Sequence, residues 1–378
     1  MARHQIILIG RRMDTALLGV KDFHPDVVHL LFTERTSEVY HPFLKMLPEG
    51  TTIVECPIGA YDALQVMRVC RAIRTQAGEG DVFQYNLTEG TKVAATAAAR
   101  IAMEFDDDMI YYSQEGECIN LRTFGREPIL SRISNEEFIQ LYDNELNSYS
   151  LASDILPVDL ATALDVKHFI EHNQKLYQKI QHQFRSRFGG RIEHLPPQFR
   201  VEREEKVIVT TNGGALKINR SGTTLFEDDN KLSTRLFFTG RWWEVIVSSV
   251  VLKWDRERHF DSSDSQVWRS VEFRGSRNGK TKNEIDILVN DRRRLLLIEC
   301  KSGYIAQENV YKIDSTRETY GGGSSKGVLV SYYPLDEELA RKCRDLHVYY
   351  FAPEKESERY EWIKGLPTFL DKVVSEIE

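Results

Sequence analysis

Apolar residues in the first part of this chain come in short unbroken runs. HQIILIG, DVVHLLF, TTIVECP and DVFQYNL each read as a strand buried on both faces. Between them, DTALLGVKDF, TSEVYHPFLKML and AYDALQVMRVCRAIRTQ place apolar residues at helical spacing, and TKVAATAAARIAMEF follows the fourth run as a further helix. DDMIYYSQ and CINLRTF add strands at an antiparallel edge. Alternating helices and near-continuous apolar strands predict a doubly wound parallel sheet over residues 1–150. Residues 158–188 read as helical up to Gly189 and Gly190, which gives a helical connector over 151–195. Beyond it, KVIVTTNGGALKINRSGTTLFE reads as a hairpin turning at Asn212 and Gly213. A helix then runs from Gly240 through WWEVIVSSVVLKW. VWRSVEFRG, EIDILVN, RLLLIECKS, KGVLVSYY and HVYYFAP are strands, with a helix around 306–320. Residues 196–378 are thus expected to form a second α/β domain on a mixed sheet.

Charged residues interrupt this second pattern where a strand should sink into a core. Strand alternation puts Glu284, Asp286 and Leu288 on one face of EIDILV, and Glu299 and Lys301 on one face of LLLIECK. NDRRR is short enough to join the two strands as a hairpin, so Asp286, Glu299 and Lys301 point into one small space. That set suits metal-assisted phosphodiester cleavage. Carboxylates hold Mg²⁺ or Mn²⁺, and a lysine positions the attacking water and offsets phosphate charge. Glu244 stands in an otherwise apolar helix, where an unpaired charge is costly, and is the natural third carboxylate. The plainer reading is an amphipathic hairpin with a cross-strand ion pair. Twelve residues between Asp286 and the ExK triplet, behind a helix that carries a glutamate, favour the metal site.

Composition adjusts this picture at a few points. The net charge of −7 rules out a general polycation, so any nucleic-acid contact needs a local basic surface. Lys280, Lys282, Arg292, Arg293 and Arg294 supply one around the hairpin, although a run such as Arg292–Arg294 reads equally well as a solvated turn. Trp242, Trp243, Trp254 and Trp268 read as core residues rather than base-stacking platforms. The five cysteines lack CxxC spacing, which argues against a zinc site or a disulfide framework. No run is long enough for a signal peptide or a membrane span, and a cytoplasmic protein is expected.

A second cluster lies in YNLTEGTKVAATAAARIA, where a strand turns into a helix. Asn86, Thr88, Gly90, Thr91 and Lys92 combine hydroxyls, a close-approach glycine, a cation and a helix N-terminus. Two readings stand side by side: a phosphate or nucleotide cradle at the end of a parallel strand, and ordinary helix capping. Neither a Walker A motif nor GxGxxG is present.

NEIDILVNDRRRLLLIECKSG resembles the core of the PD-(D/E)XK nuclease superfamily, with Asp286, Glu299 and Lys301 in its D…ExK positions and Glu244 at its helical glutamate. Ile285 stands where the literal motif has proline. Gln307 and Tyr311 have the QxxxY spacing of some members, but Glu308 departs from the pattern and the pair reads as helix surface. The N-L-T-E-G-T-K turn resembles the CARF domain (CRISPR-associated Rossmann fold). Gly10, Arg11, Arg12 and Met13 after the first strand, and Thr33, Glu34 and Arg35 after the second, match other places where that family meets its ligand. The combination is similar to the single-CARF nucleases of type III CRISPR defence. The resemblance implies a homodimer that binds cyclic tetra-adenylate between its CARF domains. It also implies Mn²⁺- or Mg²⁺-dependent cleavage of single-stranded DNA and RNA, or nicking of supercoiled DNA, with the signal carried through 158–188. A constitutive restriction or repair nuclease and a catalytically silent nucleotide sensor are the competing expectations.

Overall fold

The computed structural model describes the chain apart from residues 114–115, 130, 203, 205, 259–266, 275–280, 292–293, 323–324, 356–360 and 377–378, and apart from the side chains of 281 and 282. Its first half contains β1 (Arg3–Leu8), α1 (Asp14–Phe23), β2 (Val27–Phe32), α2 (His41–Leu44), β3 (Thr52–Pro57), α3 (Ala63–Gln76) and β4 (Val82–Asn86). There follow α4 (Lys92–Glu104), β5 (Asp108–Tyr112), β6 (Glu117–Asn120), β7 (Arg126–Pro128), α5 (Asn135–Leu141) and β8 (Leu146–Leu151). The second half begins with α6 (Pro157–His172), α7 (Gln174–Phe188), β9 (Gln198–Arg200), β10 (Val207–Asn212), β11 (Ala215–Arg220), β12 (Thr223–Asp228), α8 (Ser233–Thr239) and α9 (Arg241–Arg258). It closes with β13 (Trp268–Arg274), β14 (Thr281–Asn290), β15 (Leu295–Lys301), α10 (Gln307–Gly321), β16 (Lys326–Ser331), α11 (Glu337–Asp345), β17 (Val348–Phe351) and α12 (Leu366–Ser375).

The first sheet has the order β3-β2-β1-β4-β5-β6-β7. β1 to β5 are parallel, and β6 and β7 form the antiparallel edge. Apolar residues on both strand faces explain the two helical layers. Ile6 and Leu8 pack in one cluster with Val66 of α3 and Ile101 of α4, whereas Ile7 packs in another with Leu17 of α1 and Phe138 of α5. The order reverses between β1 and β4, so a crevice opens there at the carboxyl ends of the strands.

The second sheet is mixed, with the order β17-β16-β15-β14-β13-β8. β15, β16 and β17 are parallel and the remaining pairs antiparallel. Ile287, Val289, Leu296 and Ile298 share one core with Trp242 and Trp243 of α9 and with residues of α6, α7, α8 and α12. Trp254 and Trp268 are buried too, as read from the sequence. A small sheet, β12-β11-β10-β9, completes that core.

Three features depart from the sequence reading. The helix over 158–188 breaks at Asn173 into α6 and α7, and both are packed into the second core rather than standing clear as a connector. Strand β8 was not anticipated, and it pairs with β13 at the edge of the second sheet. Helix α5 was missed as well. Its Phe138 and Ile139 lie in one cluster that runs from Ile7 and Leu17 to Phe273, Ile285 and Leu297, so the two sheets share a core. Among the described residues no helix is long and apolar enough to cross a membrane.

Candidate active site and ligand crevice

The β14–β15 ladder runs from Asn290 opposite Leu295 to Ile287 opposite Ile298 and stops there. The next pair would be Asp286 and Glu299. Where the strands part, the Cys300 amide N–H donates instead to Asp286 Oδ2 at 2.7 Å. The break leaves two buried carboxylates without a ladder pair between them, and α9 brings Glu244 beside them. Burial pushes the Asp286 carboxyl well above the ordinary aspartate range, and the charges of Glu299 and Glu244 push it further. Burial also raises Glu244. Arg241 opposes that shift, while Glu284 and Glu299 reinforce it.

Glu299 is only 7% exposed. Its Oε1 accepts a hydrogen bond from Lys301 Nζ at 2.6 Å, and Lys312 Nζ of α10 approaches to 3.6 Å. Burial works against the Lys301 ammonium, but Glu299 and then Asp286 more than offset it and hold its pKa above the usual lysine value. Cys300 lies between these groups, and burial raises its thiol far above the reactive range. Among the described residues no three Asp, Glu, His or Cys side chains stand in position to ring one metal ion. The donor chemistry still fits a hard divalent cation. Asp286 and Glu299 are oxygen ligands crowded by like charge, and Mg²⁺ is ordinarily held by one or two carboxylates together with water and substrate phosphate.

Three participants escaped the sequence reading. Arg241 lies 3.9 Å from Glu244 and 3.7 Å from Glu284. Its position three residues before Glu244 on a helix was a usable signal. Lys312 also donates to the Glu284 carbonyl, and nothing in the periodicity of α10 singles it out. Glu284 shares the Asp286 parity, yet only the fold brings Arg241 to it. The basic rim needs correction at Arg294. It is 6% exposed, pairs with Asp291 at 3.5 Å and reaches the Val374 carbonyl, so it holds the hairpin instead of meeting nucleic acid. Lys280, Arg292 and Arg293 lie outside the described residues, as does the side chain of Lys282. Gln307 donates to Glu338 and Tyr311 carries Lys342 over its ring, as helix-surface residues do.

At the other end of the molecule, the residues singled out after β1, β2 and β4 gather at the carboxyl edge of the first sheet, beside the β1–β4 crevice. They divide into two groups. Asn86 is 2% exposed. Its amide donates to the Thr15 carbonyl and its oxygen accepts from Thr88, so it locks the turn from inside. Thr88 Oγ1 also accepts the Tyr112 amide N–H, and Thr91 caps α4 through the Ala94 amide. Capping is therefore correct for Thr91. Thr33 caps the short turn Glu34–Thr36. Met13 is a core residue, contrary to its assignment as a ligand contact. Gly90 has φ +85°, and a Cβ there would lie 3.0 Å from the Leu8 Cβ. Arg11, Arg35 and Lys92 form the second group, exposed cations with no ion pair among the described residues. Arg12 instead pairs with Asp14 at 2.7 Å.

Glu89 was overlooked. Its carboxylate accepts the backbone N–H groups of Arg12 and Arg11, and a Cβ on Gly10 would lie 2.2 Å from its Oε2. A carboxyl side chain of the chain itself thus sits against the backbone of the Gly10–Arg12 loop. Burial raises the Glu89 pKa, with Arg12 opposing and Asp14 reinforcing the shift.

Residues 230–363 match the family profile of the Card1-like endonuclease domain. Whole-chain structural similarity extends to Can2 from Sulfobacillus thermosulfidooxidans in complex with cyclic tetra-adenylate. The two are 19% identical with a TM-score of 0.70, over 99% of this chain and 100% of that one. VC1899 from Vibrio cholerae is 15% identical with a TM-score of 0.71, over 98% of each chain. A type III CRISPR defence DNA nuclease activated by cyclic oligoadenylate is 16% identical with a TM-score of 0.56, over 98% of this chain and 52% of that one. No curated protein matches the sequence. The likeness bears out the fold read from the sequence, a Rossmann-like parallel sheet followed by a nuclease-like mixed sheet.

Proposed function

Taking the Card1-like endonuclease domain as premise, we propose that the chain is a metal-dependent endonuclease switched on by a cyclic oligoadenylate in type III CRISPR defence. The observation that carries this reading is the parting of β14 from β15 at Asp286 and Glu299, with Lys301 and Glu244 alongside. Asp286 and Glu299 would hold Mn²⁺ or Mg²⁺, and Glu244 would hold or orient it. When bound, the ion supplies charge neutralisation at the phosphate and an acidified water. Lys301 then leaves Glu299 to orient the attacking water and offset charge on the transferring phosphate. Arg241, 3.9 Å from Glu244, opposes the rise that burial imposes on its carboxyl.

The activator reading rests on the crevice between β1 and β4 and on the unpaired Arg11, Arg35 and Lys92 around it. Cyclic tetra-adenylate is the ligand named for Can2, and a ring of four phosphates suits two such edges facing each other in a homodimer. The five cysteines are free, as suits a cytoplasmic protein. The test is cleavage of labelled single-stranded DNA, single-stranded RNA and supercoiled plasmid with Mn²⁺, with and without cyclic tetra-adenylate. Cleavage only with the ring is expected. Equal cleavage in both conditions would remove the activator and favour a constitutive nuclease. No cleavage with rings of any size would leave a silent sensor.

A further inference from the structure

A cavity of about 610 Å³, lined by Gly240 and Ser302 among others, has no part in the chemistry above. Its floor begins at Ser302, the residue after Lys301. Ser302 Oγ donates to the Gly240 carbonyl at 3.3 Å. Gly240 has φ +79°, and a Cβ there would lie 2.4 Å from Ser302 Oγ, so the two segments meet with no space between them. One segment continues Lys301 and the other leads into Arg241 and Glu244. The cavity therefore adjoins, one residue away along the chain, both segments that carry the active-site side chains.

Tyr304, in its lining, is 88% exposed. Tyr333 and the largely buried Tyr177 also line it, and α7 contributes His182 and Arg185. No carboxylate pairs with Arg185 among the described residues. The one acid in the lining, Asp336, is occupied in capping α11 through the Leu339 amide. Aromatic rings and an unpaired guanidinium beside a phosphodiester-cleaving centre are what a splayed base and its phosphate require. The volume is that of a small-molecule site, large enough for one nucleotide.

We infer that this cavity binds one unstacked nucleotide of a single-stranded substrate adjoining the scissile phosphate, with Tyr304 stacking on the base and Arg185 meeting a backbone phosphate. The inference rests on the nuclease reading. It also gives α7 a role in holding substrate.

The experiment uses the metal-free full chain with cyclic tetra-adenylate, so that binding is read without cleavage. Short single-stranded DNA and RNA carrying 2-aminopurine at successive positions report stacking by fluorescence quenching. Quenching is expected at one position, and Tyr304→Ala should remove it and weaken binding about tenfold. Tyr304→Phe should keep both, because stacking needs only the ring. Arg185→Ala should lower the slope of log affinity against log salt by about 0.7. A preference for the DNA or RNA set identifies the substrate. Wild-type affinity and quenching in Tyr304→Ala would overturn the inference. So would a wild-type protein that binds neither single strand, and plasmid cleavage in the assay above would then decide the nuclease reading separately.

Discussion

Removing one charge from the carboxylate cluster should make the metal-free protein more stable while disabling it. Asp286→Asn keeps an oxygen in place to accept the Cys300 amide N–H, now held at 2.7 Å, and deletes a charge that burial, Glu299 and Glu244 all oppose. Asp286→Ala deletes the same charge but leaves that amide without an acceptor, at a cost of about 1–3 kcal/mol. The two variants should therefore differ by roughly 2–12 °C in Tm, with Asp286→Asn higher. Both should lose cleavage by at least about 10²-fold.

The pH dependence has a definite sign. A carboxyl whose pKa is raised on folding binds its proton more tightly in the folded state. Its contribution is harmless at acid pH and becomes a penalty as pH rises through the unfolded and then the folded pKa. Each tenfold gain in proton affinity on folding is worth about 1.4 kcal/mol. The advantage of Asp286→Asn over wild type should accordingly open as pH rises from acid to neutral and close again on acidification. Lys301 and the Cys300 amide moderate the penalty without reversing it. Mn²⁺ should reverse the ranking, since at a hundredfold excess over Kd it adds about 2.7 kcal/mol to wild type alone. Thermal unfolding followed by tryptophan fluorescence, with and without Mn²⁺, reads all of this. If metal-free Asp286→Asn is less stable than wild type at neutral pH, the carboxylates do not crowd one another and the case for a cation site there is lost.

Lys301→Ala should slow cleavage by about 10²–10³-fold while leaving Mn²⁺ stabilisation intact, and loss of both would make it a structural partner of Glu299. Glu89→Gln should tighten ring binding at neutral pH and flatten its pH profile. Wild type should approach the variant only on acidification, where Glu89 is neutral, and parallel calorimetric profiles would refute this. Gly240→Ala should destabilise the nuclease half by about 1–3 kcal/mol, since φ is +79° and Ser302 leaves no space, and an unchanged Tm would refute the close approach. Tyr142→Ala should leave ring affinity within a fewfold of wild type but cut the activation ratio severalfold, and an unchanged ratio would show that the signal runs elsewhere.

The candidate site was legible where a charge broke a strong pattern. Glu244 in an apolar helix, and Asp286 and Glu299 in apolar strands, stand out because burial of a lone charge is costly. The parallel sheet was legible for the same kind of reason, since only strands covered on both faces are apolar throughout. Strand β8, LNSYSL, carries almost no apolar signal because its edge position leaves most of it exposed, and only its pairing with β13 makes it a strand. Arg294 misled because a run of like charges ordinarily means solvent, and the Asp291 that buries it lies three residues away across a turn. Glu89 was hidden in a motif whose other members have local roles, and its partners are amides of a distant loop.

The packing offers a second route between the two sites besides residues 158–188. Helices α6 and α7 belong to the nuclease core, and no residue of either shares a cluster with the first sheet. Helix α10 touches both ends. Near its start, Lys312 reaches Glu299 and the Glu284 carbonyl. At its far end, the Thr319 carbonyl accepts from Asn144, and Gly322, with φ +66°, lies so close to the Tyr142 ring that a Cβ would stand 2.0 Å from it. Tyr142 in turn lies near Asp14, Arg12 and Glu89 at the crevice. A ring whose phosphates displaced Glu89 from the Arg11 and Arg12 amides would rearrange the groups beside Tyr142. Because Tyr142 packs against the end of α10, a shift there moves the lysine that now competes for Glu299. That competition gives the two ends one element whose position each can bias, which is what coupling between them requires.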